Sequence, residues 1–153
     1  MGVPPTELAE AKALVERVFQ AVEVEIAWVE ERLQGPFRPV RGAVAMLIVN
    51  SIPNPKRQGP GCVLGLAVQK LATAYAYYDR IAGTSRNRPV DQTILLGRVI
   101  AHELGHLLLP AGSHTRYGIM RADMDWGFEN PNRFTEEQAR SIRASLVMQS
   151  AQK

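Results

Sequence analysis

Residues 102–106 read His-Glu-Leu-Gly-His, two imidazoles four positions apart with a carboxylate beside the first. On a helix that spacing is a rise of about 6 Å and an angular offset of about 40°, so both rings face the same way and can share one metal ion. Imidazole nitrogen is a good zinc ligand at about 2.0–2.1 Å. Glu103 stands where its carboxylate can take a proton from a water polarised by that metal, as the water attacks a carbonyl, and pass it to a leaving amine. So short a pattern also arises where two helix histidines merely cap, pack or face solvent. Three features weigh against that here. The surrounding helical stretch has a clear start and stop, and all three histidines of the chain fall between His102 and His114. Gly105, a residue that weakens a helix interior, separates the two ligands and leaves room for a close neighbour.

A catalytic zinc takes three protein ligands and keeps a fourth position open. His114 is the expected third, because Pro110, Ala111 and Gly112 supply a turn and eight residues reach up to about 26 Å. Asp123, Asp125, Glu129 and, in the last helix, Glu136 or Glu137 stay open as acidic alternatives. One Zn2+ per chain is expected.

These side chains must be positioned by the elements around them. The longest periodic helix covers 91–108, with Asp91 as N-cap, an apolar stripe of Ile94, Leu95, Val99, Ile100, Leu104, Leu107 and Leu108, and Pro110 as its stop. Upstream, Thr6 can cap a helix over 6–20, where Leu8, Ala11, Leu14, Val15, Val18 and Phe19 recur at helical spacing. Residues 22–29 alternate Val22, Val24, Ile26 and Trp28 with Glu23, Glu25 and Ala27, which predicts a half-buried strand. Gly35-Pro36 ends the stretch after that strand. The apolar run 43–49 predicts a strand buried on both faces. Two further strands are expected at 62–69 and 73–81, separated from the first by a Pro/Gly-rich loop over 51–61 and succeeded by a polar loop over 82–90. Residues 110–133 read as irregular. A last helix starts at Thr135 with a capping box to Gln138 and an apolar face of Ala139, Ile142, Leu146 and Val147. No repeat or linker interrupts the order, which predicts one α+β domain over 1–153.

Composition agrees with this and removes several classes. The 153 residues are 46% hydrophobic and 22% charged, as in a globular domain with a real core. The net charge is +3, but the basic residues are scattered and form no run, so no nucleic acid is expected as a partner. The single cysteine, Cys62, excludes an intramolecular disulfide and reads as a small buried strand residue. No apolar run approaches the roughly 20 residues of a membrane span. Met1–Glu10 has no basic segment leading into an apolar one, so no signal peptide is visible and the compartment stays open. A monomer is expected. Trp28 and Trp126 read as core or rim aromatics, and Tyr117 as packing or surface.

The motif resembles that of the metzincins, the clan of zinc endopeptidases that includes matrix metalloproteinases, astacins and archaemetzincins. Their signature is H-E-x-x-H-x-x-G-x-x-H with a methionine-containing turn after it, beneath the metal. This chain reads His102-Glu-Leu-Gly-His106-Leu-Leu-Leu-Pro-Ala-Gly112-Ser-His114, then Tyr117-Gly118-Ile119-Met120. The third histidine comes two residues late, and Leu109 stands where the family has glycine, a place Gly112 can take. The resemblance implies a zincin/metzincin-like fold with a small mixed sheet of about four strands, an N-terminal helix, an active-site helix and a C-terminal helix. It also implies that Met120 is the methionine of the turn. The segment Leu64-Gly65-Leu66-Ala67 is similar in place and character to the family's edge strand, so these residues are candidate contacts to a substrate backbone added as a further strand. The specific part of the match is 102–120.

The expected function is a zinc metalloendopeptidase acting on a peptide or protein, with Glu103 as general base and acid. The alternative is a zinc-binding protein with a degenerate site or a non-peptidase hydrolase site. A purely structural site usually has four protein ligands and no use for an adjacent carboxylate. A hydrolase for another amide or ester shares the same water chemistry and differs only in the shape of its cleft.

Overall fold

The computed structural model of the chain describes residues 2–31, 41–50, 63–122 and 132–152. Helix α1 (Pro5–Gln20) opens with proline in its first turn, where the missing N–H costs nothing, and carries Glu7 and Arg17 at the ends their charges favour. Its inward face is Ala11, Leu14, Val15, Val18 and Phe19. The helix closes in a Schellman arrangement: Glu23, with φ of 64°, donates its N–H to the Gln20 carbonyl, and Val24 donates to that of Phe19.

The next segment corrects the sequence reading. Residues 24–31 join no strand among the described residues, although their period of two survives. Val24, Ile26 and Trp28 pack against the core while the residues between them are exposed. The Trp28 indole donates to Glu16 at 2.8 Å, and Lys12 pairs with Glu30. Alternation records a chain with one buried side; here that side lies on α1 instead of in a β-ladder.

Strands β1 (Ala45–Val49), β2 (Gly65–Val68) and β3 (Thr73–Tyr77) form a three-stranded mixed sheet in the order β1-β3-β2. β1 runs parallel to β3 from Ala45↔Thr73 to Val49↔Tyr77, and β2 runs antiparallel to it from Gly65↔Ala76 to Val68↔Thr73. β2 is therefore an edge strand among the described residues. The sheet has three strands here against the expected four because 24–31 does not pair. β1 is half-buried along its length, not enclosed on both faces; Met46 and Ile48 point to the core. Cys62, Gly35-Pro36, the loop 51–61 and Trp126 lie outside the described residues.

Helix α2 (Tyr78–Asn87) occupies ground expected to be strand end and loop. Its apolar face is short: Ile81 is buried and Tyr78 packs against the core three positions before it, so the helical spacing covers little more than one turn directly after β3. Tyr78 starts it and donates from its hydroxyl to Glu7 of α1 at 2.9 Å. Helix α3 (Gln92–Leu108) is central: Leu95 through Gly105 are buried without interruption. Asp91 caps it by accepting from the Ile94 N–H at 3.0 Å. Helix α4 (Glu136–Ala151) starts with the expected capping box, Thr135 with Gln138. The architecture is α+β, with the core between α1, α3 and the sheet. No helix of the described residues is long and apolar enough to cross a membrane.

Candidate metal centre

α3 brings His102 and His106 to one side, and the turn after it returns His114 to them. The ligand-capable nitrogens of the three rings lie within 4.8 Å of one another. His106 Nε2 stands 3.0 Å from Nε2 of His102 and 3.0 Å from Nε2 of His114. Three ligands on a tetrahedral zinc would be spaced by about 3.3 Å, given bonds of about 2.0–2.1 Å. The donor set thus fits a metal ion: three imidazoles converge through the same ring atom, and each can meet a cation with a lone pair.

The tautomer of His102 is fixed from behind. Its Nδ1 lies 2.7 Å from the Ile119 carbonyl, to which it donates, so Nε2 is left with its lone pair toward the other rings. Burial holds His102 down to about 4, against the opposing pull of the Ile119 carbonyl and with the help of His106 and His114. His106 is lowered as well, by burial and by His114. Both rings are therefore neutral near pH 7, the form that binds metal. His102 is buried, His106 half-buried and His114 exposed, which leaves the centre accessible from the His114 side.

Glu103 is 5% exposed, and its carboxyl group is pushed up to about 7 by burial alone. Its neighbour is the edge strand. A methyl group on Gly65 would lie 2.6 Å from Glu103 Cγ and Oε1, so the carboxylate occupies the space a side chain would take. Among the candidate backbone contacts, Leu64 is core and its carbonyl accepts from Tyr77 N–H at 2.8 Å, while Leu66 is exposed on the opposite side from Gly65. Ala67 is half-buried.

The segment after His114 folds beneath α3. Thr115 donates its N–H to the Met120 carbonyl at 3.1 Å, and Ile119 N–H donates to Arg133 O at 2.9 Å. Gly118 has φ of 83°, and a Cβ there would stand 2.4 Å from the Arg133 carbonyl, so only glycine fits. Met120 is fully buried. A Cβ at Gly105 would lie 2.6 Å from Met120 Sδ and 3.0 Å from the Phe134 ring, which accounts for glycine between the two helix histidines. Gly112, with φ of 75° and no close neighbour, serves the turn after Pro110.

Of the acidic alternatives, Glu136 and Glu137 are exposed in the first turn of α4 and do not belong to the histidine cluster. Asp123, Asp125 and Glu129 lie outside the described residues. Tyr117 is exposed. Two residues at the site carry no sequence signal of this role. Gln69, just after β2, donates from Nε2 to the carbonyls of His106 at 2.6 Å and Leu109 at 2.9 Å, closing the C-terminal end of α3. Gln138 reaches the His114 segment from α4; its sequence signature is that of a helix cap alone. Comparison with protein families, curated proteins and solved structures finds no match to this chain.

Proposed function

We propose that this chain is a metzincin-like zinc metalloendopeptidase whose 153 residues form one catalytic domain. The observation that carries the reading is the placement of a buried carboxylate, Glu103, next in sequence to one of three converging imidazoles and against an edge strand. A zinc ion held by His102, His106 and His114 supplies a Lewis acid for a substrate carbonyl and lowers the pKa of water. Glu103 does the proton work: it takes the proton of the attacking water and delivers it to the leaving nitrogen. Its burial favours the protonated form, and a cation nearby favours the ionised one, so the group can hold and release a proton near neutral pH. The substrate is an extended peptide laid along β2, its backbone pairing beside Leu66 with the edge that no described residue occupies. Met120 supports the site from below by packing under Gly105. The protein acts as a monomer.

Glu103→Ala tests this. The variant should keep its zinc and lose peptide hydrolysis by about 10²–10⁴-fold, the usual worth of a positioned general base. Hydrolysis of a mixed peptide library at the parent rate by this variant would refute the role of Glu103. A parent protein that cleaves esters but no peptide would move the reading to the non-peptidase hydrolase.

A further inference from the structure

Gln138 has more hydrogen bonding than a helix cap needs. Its Oε1 accepts from the Thr135 N–H at 2.9 Å, which completes the capping box. A glutamate would do that equally well. The amide nitrogen is used elsewhere: Nε2 donates to the Ser113 carbonyl at 2.9 Å and to Thr115 Oγ1 at 3.3 Å. Those are the two residues that flank His114. Gln138 is 5% exposed and both bonds are part-buried, so water competes for them less than at the surface. The hold is passed on. Thr115 Oγ1 donates to the Tyr117 carbonyl at 2.8 Å, and Thr115 N–H donates to that of Met120 at 3.1 Å. Between them lies Ile119, whose carbonyl orients His102.

We propose that Gln138 is a positioning residue of the metal centre, whose side-chain amide fixes the backbone on both sides of His114 and so brings its Nε2 to those of His102 and His106. His114 is the exposed ligand and the one carried outside α3, so its location depends on what fastens its segment. Without the amide, the segment must be ordered when metal binds, and that cost appears as lost affinity. Changes in groups that orient metal ligands typically lower metal affinity about 10–100-fold. The proposal rests on His114 being a ligand, as in the proposed function.

The test uses the full chain, stripped of metal with a chelator and titrated with zinc against a chromophoric competitor at pH 8. Cobalt(II) absorption reports coordination geometry in parallel. Gln138→Glu keeps the acceptor that caps α4 and removes the donor to Ser113 and Thr115. Thr135→Ala removes the cap hydroxyl and keeps that donor. The expected result is a loss of about 10–100-fold in zinc affinity for Gln138→Glu, with an altered cobalt spectrum resembling that of His114→Ala. Thr135→Ala should lower the unfolding midpoint and leave affinity unchanged. If Gln138→Glu does not fold, Gln138→Met, of similar length and without a donor, takes its place. Parent-like affinity in the Gln138 variant overturns the proposal, as does an equal loss in Thr135→Ala, which would tie the site to α4 stability alone. A parent chain that binds no zinc overturns the metal reading itself, an outcome visible before any variant is compared.

Discussion

The first buried half of α3, Leu95 to Ile100, and the second, Ala101 to Gly105, are both shut away from water but are built from different side chains. The first half is mostly aliphatic. Leu95, Leu96 and Val99 are fully buried, and Gly97 admits α1 so closely that a Cβ there would stand 3.1 Å from the Ala11 carbonyl and from Leu14 Cβ. Its one charged member, Arg98, donates to Asn132 Oδ1 at 2.5 Å. The second half buries His102 and Glu103, groups that resist burial when charged, and its glycine admits Met120. One helix thus holds a region that stabilises the fold beside a region that costs stability by burying titratable groups. The difference is testable, since changes in the first half should alter stability without touching metal affinity, while changes in the second at the histidines or at Gly105 should alter metal affinity as well.

The largest effect is expected from Leu96→Ala. Removing a fully buried leucine side chain costs about 2–5 kcal/mol. Denaturant unfolding should show that loss, while zinc affinity of the folded protein stays at the parent value; a parallel loss of affinity would mean the two halves are not separable. The opposite sign is expected for Glu103→Gln in the metal-free protein. Because the folded carboxyl is raised from 4.5 to about 7, its contribution is fully present below pH 4.5 and is lost as pH rises through about 7. At pH 8 the glutamine variant should therefore be more stable than the parent by up to about 3 kcal/mol, and near pH 4 the two should converge. Thermal melts at both pH values in the presence of chelator check this, and a constant difference between them would contradict it. The smallest effect separates the glycines. Gly97→Ala and Gly105→Ala should each lower stability by about 1–3 kcal/mol through overpacking. Only Gly105→Ala, by displacing Met120 and Phe134 beneath the histidines, should also weaken zinc binding.

Much of this arrangement is legible in the sequence where a repeating period reports one buried face. The stripe from Ala11 to Phe19 marks α1, the run ending at Pro110 marks α3, and Thr135 with Gln138 marks the start of α4. Period fails where burial and hydrogen bonding diverge. Val24, Ile26 and Trp28 alternate as a strand does, yet their buried side faces a helix. The segment 78–87 is a helix whose core contacts, Tyr78 and Ile81, span little more than one turn and follow directly on β3, so their spacing merges with that of the strand. At the site, the spacing of His102 and His106 suffices to place them together because a helix fixes its own geometry. His114 and Met120 are brought in by a path with no period, set by Gly118 against Arg133 and by the amide of Gln138. Those contacts join positions far apart in the chain, and no local pattern carries them.

The proposed function requires that three imidazoles hold one metal ion. It is tested most directly by elemental mass spectrometry of the purified chain after dialysis against trace zinc, beside His106→Ala. One zinc per chain is expected in the parent, lost in the variant. A well-folded parent without metal, or a variant that retains it fully, would contradict the claim.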